Sequence, residues 1–86
     1  GRATRPRPER LAEKLVEIRR RLELSQNELI NRLEFADLHL VQGTISTYEL
    51  GKREPSLPLL LRYARIAGVS LESIIDDEME LQSITE

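Results

Sequence analysis

The stretch "GTISTYELGKREPS", residues Gly43 to Ser56, is the most informative part of the chain. Small polar residues at a spacing compatible with a helix end at Gly51, where a left-handed C-cap residue is expected. Lys52 and Arg53 follow directly, and the proline two residues further on cannot continue a helix. The stretch therefore predicts a helix over about 42–50 that ends in a turn bearing two cations.

Two helices are predicted upstream of this stretch. A first helix is predicted over 8–23, where Pro8 and Glu9 suit the first turn. Four apolar residues recur there at spacings of four, three and four and form one stripe: Leu11, Leu15, Ile18 and Leu22. Ser25, with a glutamate three residues later, has the spacing of a capping box and predicts a second helix over about 25–34.

Two shorter helices are predicted downstream. Ser56 is suited to cap a fourth helix, and Gly68 is suited to end it. Ser70 is suited to cap a fifth helix, whose buried residues are expected to be Leu71, Ile74 and Ile75. The residues that follow, "DDEMELQSITE", are expected to form a frayed acidic end.

Five helical segments without a strand pattern predict an all-α protein, and 86 residues allow one small domain. We expect a disordered basic arm at 1–8, a folded domain at 9–78 and an acidic tail at 79–86. The net charge of −2 is unevenly spread. Residues 1–36 carry nine Arg or Lys against six Glu, whereas residues 66–86 carry six acids and no base. A basic front could meet phosphates, although ordinary solvated surface is the alternative interpretation.

Composition argues against catalysis. The chain has no cysteine, which excludes disulfides and thiolate metal sites, and its single histidine is His39. The four acidic residues within 76–80 have neither a glycine-rich loop nearby nor the spacing of metal ligands. We predict that the chain is not an enzyme and binds no metal, cofactor or evident small molecule. No apolar run reaches about 20 residues and no signal peptide is visible, so a cytoplasmic location off the membrane is expected.

Several linked positions resemble the helix-turn-helix family of phage repressors and Cro, often called the Xre family. The resemblance covers about residues 9–76 and rests on Leu24-Ser25-Gln26, Ile45-Ser46, Glu49, Gly51-Lys52-Arg53, Pro55, and Leu71 with Ile74. It implies a five-helix, lambda-repressor-like DNA-binding domain whose third helix lies in the major groove of double-stranded DNA. It also implies a sequence-specific transcriptional regulator, with repression the favoured direction, that binds an inverted-repeat operator as a homodimer at a bacterial or phage nucleoid.

The same resemblance implies base contacts from Gln42, Gly43 and Thr47. Gln42 has the groups to pair bidentately with adenine, and Gly43 only permits close approach. Thr47 offers a hydroxyl group and a methyl group, and the methyl suits contact with the methyl of thymine.

The resemblance also implies phosphate contacts from residues at the start of the second helix, within the third helix and in the turn after it. The set is Ser25, Gln26, Asn27, Thr44, Ser46, Tyr48, Lys52 and Arg53. For Tyr48 the alternative is a place half in the core. The family also pairs an arginine of the first helix with a glutamate of the third, which implies a partly buried, structural ion pair between Arg19 and Glu49.

The chain departs from the family's pattern between the second and third helices. Ile30 and Ile45 are fifteen positions apart, with the extra residues near Glu34–Leu38, so a longer apolar linker replaces the tight turn. Val41 stands where the family has a serine that caps the third helix. This segment could prolong the second helix, form a short turn of helix or be a packed loop. One hypothesis is that Phe35, Leu38 and Leu40 pack as a short extra helix.

Two alternatives to a DNA-binding regulator stay open at this point. One is a protein-interaction module of the same fold, antitoxin-like or coactivator-like, which the negative net charge leaves open. The other is the N-terminal DNA-binding piece of a longer regulator.

Two surfaces also have alternative interpretations. The fifth helix and the tail offer a dimer surface, unless the same residues complete the monomer core: Ile74, Ile75, Met79 and Leu81. The arm residues Arg2, Arg5 and Arg7 either reach a minor groove or are simply disordered.

Overall fold

The computed structural model of the chain describes residues 8–34 and 40–82. These residues form five α-helices and no strand, which confirms the all-α class for the described part of the chain. The helices are α1 (Leu11–Arg21), α2 (Gln26–Leu33), α3 (Gln42–Glu49), α4 (Leu57–Ala67) and α5 (Leu71–Ile75). The arm through residue 7, residues 35–39 and residues 83–86 lie outside the described ranges, so the hypothesis of an extra helix stays a prediction.

One hydrophobic core joins the five helices. The stripe predicted for the first helix is buried, and residues from every other helix pack against it. The core consists of Leu11, Leu15, Ile18, Leu22, Leu29, Leu33, Ile45, Tyr48, Leu59, Leu60, Tyr63, Ala64, Ala67, Val69 and Ile74. Each fully buried leucine or isoleucine stabilises the fold by about 1.5–3 kcal/mol before entropy is counted.

Three of the helices begin at the serines that the sequence predicts. In each case the serine hydroxyl oxygen accepts a hydrogen bond from the backbone N–H three residues later, at Glu28, Leu59 and Ser73. The capping box of α2 is complete, because the Glu28 carboxylate also accepts from the Ser25 N–H at 2.8 Å. By contrast, α3 begins after Val41, which supplies no side-chain cap.

The predicted stop of the third helix is also present. Gly51 has a φ of +76°, in the left-handed region that glycine tolerates. Its N–H donates to the Tyr48 carbonyl at 3.1 Å, and the Lys52 N–H donates to the Thr47 carbonyl at 3.0 Å. A Cβ atom at position 51 would come no closer than 3.6 Å to Ala12, so the backbone conformation, and not space, requires the glycine.

The first helix is shorter than the predicted 8–23. It starts at Leu11, and its N-cap residue Arg10 provides no side-chain cap. The N–H groups of Glu9 and Arg10 instead donate to the Asp77 carboxylate at 2.8 and 3.0 Å, which holds residues 8–10 outside the helix. Its end is set by Glu23, whose φ of 59° is left-handed.

The prediction of a frayed acidic end is wrong for residues 76–82. Lys14 is only 2% exposed, and its ammonium group donates hydrogen bonds of 2.8 Å to the carbonyls of Ser73, Asp76 and Met79. These bonds hold the end of α5 and the segment after it against α1. Burial lowers the pKa of Lys14 below its usual value.

Most of the residues expected at a dimer surface belong to the hydrophobic core of the monomer or pack against it. Ile74 is fully buried, and Ile75 and Leu81 pack against the core, so the alternative interpretation is confirmed for these three. Their burial follows from the docking of residues 76–82 on α1. The large apolar side chains that remain exposed in the described ranges are Val41, Leu50, Leu57 and Leu61.

Candidate nucleic-acid interface

The predicted ion pair between α1 and α3 is present. Arg19 Nε lies 2.7 Å from one Glu49 carboxylate oxygen, and Arg19 Nη2 lies 3.0 Å from the other. Gln26 of α2 donates its side-chain amide to the same carboxylate at 3.1 Å, and Arg19 also donates to the Leu24 carbonyl at 3.0 Å. One carboxylate therefore connects the first three helices.

Burial makes this cluster sensitive to the loss of either charge. The Glu49 side chain is 7% exposed and that of Arg19 is 24% exposed. Hydrogen bonds to Glu49 raise the pKa of Arg19, so the guanidinium stays charged. The planar, bidentate pairing sets both the position and the rotation of α3, which determines the face that α3 shows to solvent.

The outward face of α3 contains residues with small or polar side chains. Gln42 and Gly43 are exposed, and a Cβ atom built at Gly43 would meet nothing within 4 Å. Ser46 and Thr47 are half-buried. Gly43 and Thr47 lie on the side of the helix opposite Ile45 and Tyr48, whereas Gln42 is exposed in the first turn. The face is therefore open to a ligand that approaches the helix closely.

Two of the residues predicted to contact phosphate also pack against other parts of the protein. Tyr48 is 4% exposed and belongs to the core, which confirms the core alternative; a phosphate contact from its hydroxyl group stays a prediction. Gln26 is half-buried and engaged with Glu49, which the sequence analysis did not foresee. The cause in both cases is the packing of α3 against α1 and α2.

The remaining predicted phosphate contacts flank the outward face of α3. Ser25 and Asn27 are exposed at the start of α2, although the Ser25 hydroxyl already accepts the capping hydrogen bond. Thr44 is half-buried, as is Ser46. Lys52 and Arg53 are exposed directly after the Gly51 turn. Small hydrogen-bonding side chains and two cations thus border a helix that carries no charge of its own beyond Glu49.

Thr47 uses its hydroxyl group within α3. The Oγ1 atom donates to the Thr44 carbonyl at 2.6 Å and lies 3.3 Å from the Gly43 carbonyl. A threonine hydroxyl held by its own helix is a common local arrangement. The hydroxyl proton of Thr47 is therefore used within the helix, so the methyl group and the acceptor capacity of the hydroxyl oxygen are left for contact with a ligand.

Neither a candidate metal-binding cluster nor a candidate membrane-spanning helix is found within residues 8–34 and 40–82. These residues contain no group of three or more His, Cys, Asp or Glu side chains that could hold a metal ion. No helix among them is long and apolar enough to cross a membrane. His39 lies outside the described ranges.

Comparison of the chain with known protein families, with curated proteins and with solved structures gives no match.

Proposed function

We propose that the chain is a sequence-specific, double-stranded DNA-binding transcriptional regulator, with repression the favoured direction. In this proposal the fold is lambda-repressor-like, α2 and α3 form a helix-turn-helix with an extended linker, and α3 lies in the major groove. Its proposed location is the cytoplasm of a bacterial or phage-infected cell, at the nucleoid. The chemistry is binding and not catalysis.

The observation that carries the proposal is the Arg19–Glu49 pair with its Gln26 partner. The resemblance to phage repressors and Cro predicts this pair, and it is present with bidentate geometry at 2.7 and 3.0 Å. A clamped helix is what major-groove binding needs, because side chains can match base edges only if the helix does not shift or rotate. The exposed turn at Lys52 and Arg53 adds cations at the end of that helix.

The roles within the interface follow from exposure. Gln42 is the exposed residue with both a donor and an acceptor for adenine, and Gly43 permits close approach. Lys52 and Arg53 neutralise phosphates, while Asn27 and the start of α2 fix the orientation of the domain on the backbone.

The test is a fluorescence-anisotropy titration against a randomised duplex pool, followed by selection, at two salt concentrations. We expect enrichment of an inverted repeat and binding that weakens steeply with salt. Lys52→Glu with Arg53→Glu should abolish specific binding, whereas Arg20→Glu with Arg65→Glu makes the same charge change at exposed positions outside the interface. Equal loss in both double variants would contradict the assignment of phosphates to the Gly51 turn, because only net charge would then matter.

The homodimer needs an apolar surface outside the monomer core. On α4, Leu57 is 61% exposed and Leu61 is 38% exposed, and the spacing of four residues places them on one side of the helix. Changing both to Glu should weaken binding to an operator with two half-sites and leave binding to a single half-site unchanged. Equal weakening on both DNAs would reject α4 as the dimer surface.

One observation favours the second candidate function, a protein-interaction module. Val41 and Leu50, at the two ends of α3, are 47% and 65% exposed, and α3 itself contains no Lys or Arg. Exposed apolar side chains at both ends of a helix without cations suit a protein partner as well as DNA. If selection returns no duplex and binding shows no salt dependence, the interaction module becomes the better proposal, either alone or as one part of a longer regulator.

A further inference from the structure

The outward face of α3 contains a residue that the sequence analysis did not assign. Leu50 follows Thr47 by three positions and Ser46 by four, so the three side chains are neighbours on one side of the helix. Leu50 is 65% exposed, and its N–H donates to the Ser46 carbonyl at 2.9 Å, which keeps it in helical register. Leu50 thus extends the candidate interface towards the Gly51 turn.

Thr47 and Leu50 make part of this face apolar. Thr47 has its hydroxyl bound to the Thr44 carbonyl and offers a methyl group, and Leu50 offers an isobutyl group. Gly43 offers no side chain, and the space around it is open. All residues of α3 are described, and none is Lys or Arg, so the helix cannot make the arginine or lysine contact to guanine that is the commonest in direct readout.

The groups of the major groove that match such a surface belong to A·T pairs. Thymine alone among the four DNA bases presents a methyl group there, and apolar side chains pack against it. Adenine presents the donor and acceptor that the exposed Gln42 amide complements. Guanine and cytosine present polar edges that would lose water against Leu50 without gaining a hydrogen bond.

We propose that this face selects thymine methyl groups, and that Leu50 and Thr47 are the residues that determine this specificity. The proposal rests on the proposed function, and it names the feature of the operator that α3 recognises. Each half-site then contains at least one T whose methyl packs between the Thr47 methyl and Leu50.

The experiment replaces thymine by deoxyuridine at one position at a time in the selected operator. Uracil keeps the hydrogen-bonding groups of thymine and lacks only the methyl. Loss of one buried methyl group is expected to weaken binding about fourfold at the contacted positions. Positions outside the half-sites serve as controls and should show no change.

Matched protein variants identify the partner of each DNA methyl group. Thr47→Val keeps a methyl and removes the hydroxyl, whereas Thr47→Ser keeps the hydroxyl and removes the methyl. Valine should retain the fourfold uracil penalty, and serine should lose it along with a similar factor in affinity. Leu50→Ala should remove the penalty at the same thymine, and circular dichroism will show that this exposed substitution leaves the fold intact.

The outcomes separate this inference from the proposed function. A uracil penalty that disappears in Thr47→Ser and Leu50→Ala, and persists in Thr47→Val, supports the inference. Salt-sensitive, specific binding with no uracil penalty, or a penalty unchanged by both variants, would overturn the inference and leave the proposed function standing. An absence of specific DNA binding would overturn both.

Discussion

Lys14→Met should destabilise the protein strongly, although lysine is rarely a core residue. Lys14 is 2% exposed, and each of its three hydrogen bonds to backbone carbonyls measures 2.8 Å. Methionine has a similar length and fills the same space, so the substitution removes the donors and the charge without opening a large cavity.

The expected magnitude follows from the carbonyls that lose their donor. Ser73, Asp76 and Met79 each lose one charge-assisted hydrogen bond, and an orphaned carbonyl in a partly buried place costs about 1 kcal/mol. The avoided desolvation of the ammonium group offsets part of this loss. The free energy of unfolding should therefore fall by about 2–3 kcal/mol, which lowers the Tm of a domain of this size by about 10–20 °C.

Thermal unfolding followed by circular dichroism, with guanidinium titration at 25 °C, measures the change. Arg20→Met is the matched control on the same helix, because the Arg20 side chain is 71% exposed and its ion pair with Glu17 should contribute less than about 0.5 kcal/mol. A Lys14→Met protein as stable as the control would refute the idea that the ammonium group holds the end of α5 in place.

Three further predictions concern other buried or ionised groups. Glu49→Ala should lower the free energy of unfolding by about 3–5 kcal/mol by leaving Arg19 without its partner, and chemical denaturation of the double variant with Arg19→Met should show part of that loss recovered. Tyr63→Phe should leave stability unchanged or raise it by up to about 1 kcal/mol in thermal unfolding, because the Tyr63 hydroxyl is buried without a hydrogen-bond partner in the described part of the chain; a loss above that size would reveal a partner. Hydrogen bonds from the Glu9 and Arg10 N–H groups lower the pKa of Asp77 below its usual value of 3.8, so its stabilising contribution is complete above that value and is lost as the pH falls through the lower, folded-state pKa. The stability difference between the parent and Asp77→Asn should shrink accordingly in acid titrations, and a difference that is constant with pH would contradict this cause.

The local features of the fold could be predicted because their causes lie within one or two turns of helix. Ser25, Ser56 and Ser70 cap backbone groups three residues away, and Gly51 and Gly68 adopt the left-handed conformations that end α3 and α4. The pair of Arg19 and Glu49 is different, since its residues are thirty positions apart and only the resemblance to phage repressors and Cro predicted it.

The candidate interface could be predicted only in part. The exposure of Gly43 agrees with its place on the outward face of α3, because the period of that helix puts it on the side away from Ile45 and Tyr48. Gln42 is exposed in the first turn of the helix, and Lys52 is exposed in the turn that follows the helix. The period alone did not decide whether Tyr48 faces solvent or core. That depended on how α3 leans against its neighbours, which also left Leu50 exposed.

The sequence by itself determined where the helices lie and how most of them begin and end, since these follow from hydrogen bonds and side-chain periods that span a few residues. The tertiary structure alone decided the use of Lys14, Asp77 and Gln26. Lys14 donates to Ser73, which is 59 positions away, and Asp77 accepts from Glu9, which is 68 positions away. Gln26 donates to Glu49, which is 23 positions away. A charged side chain on a helix is ordinarily solvated, and nothing local distinguishes one that will meet three unpaired carbonyls. Only packing of α5 against α1 brings the cation to those carbonyls and the Asp77 carboxylate to the uncapped start of α1, so each of these helices stabilises an end of the other.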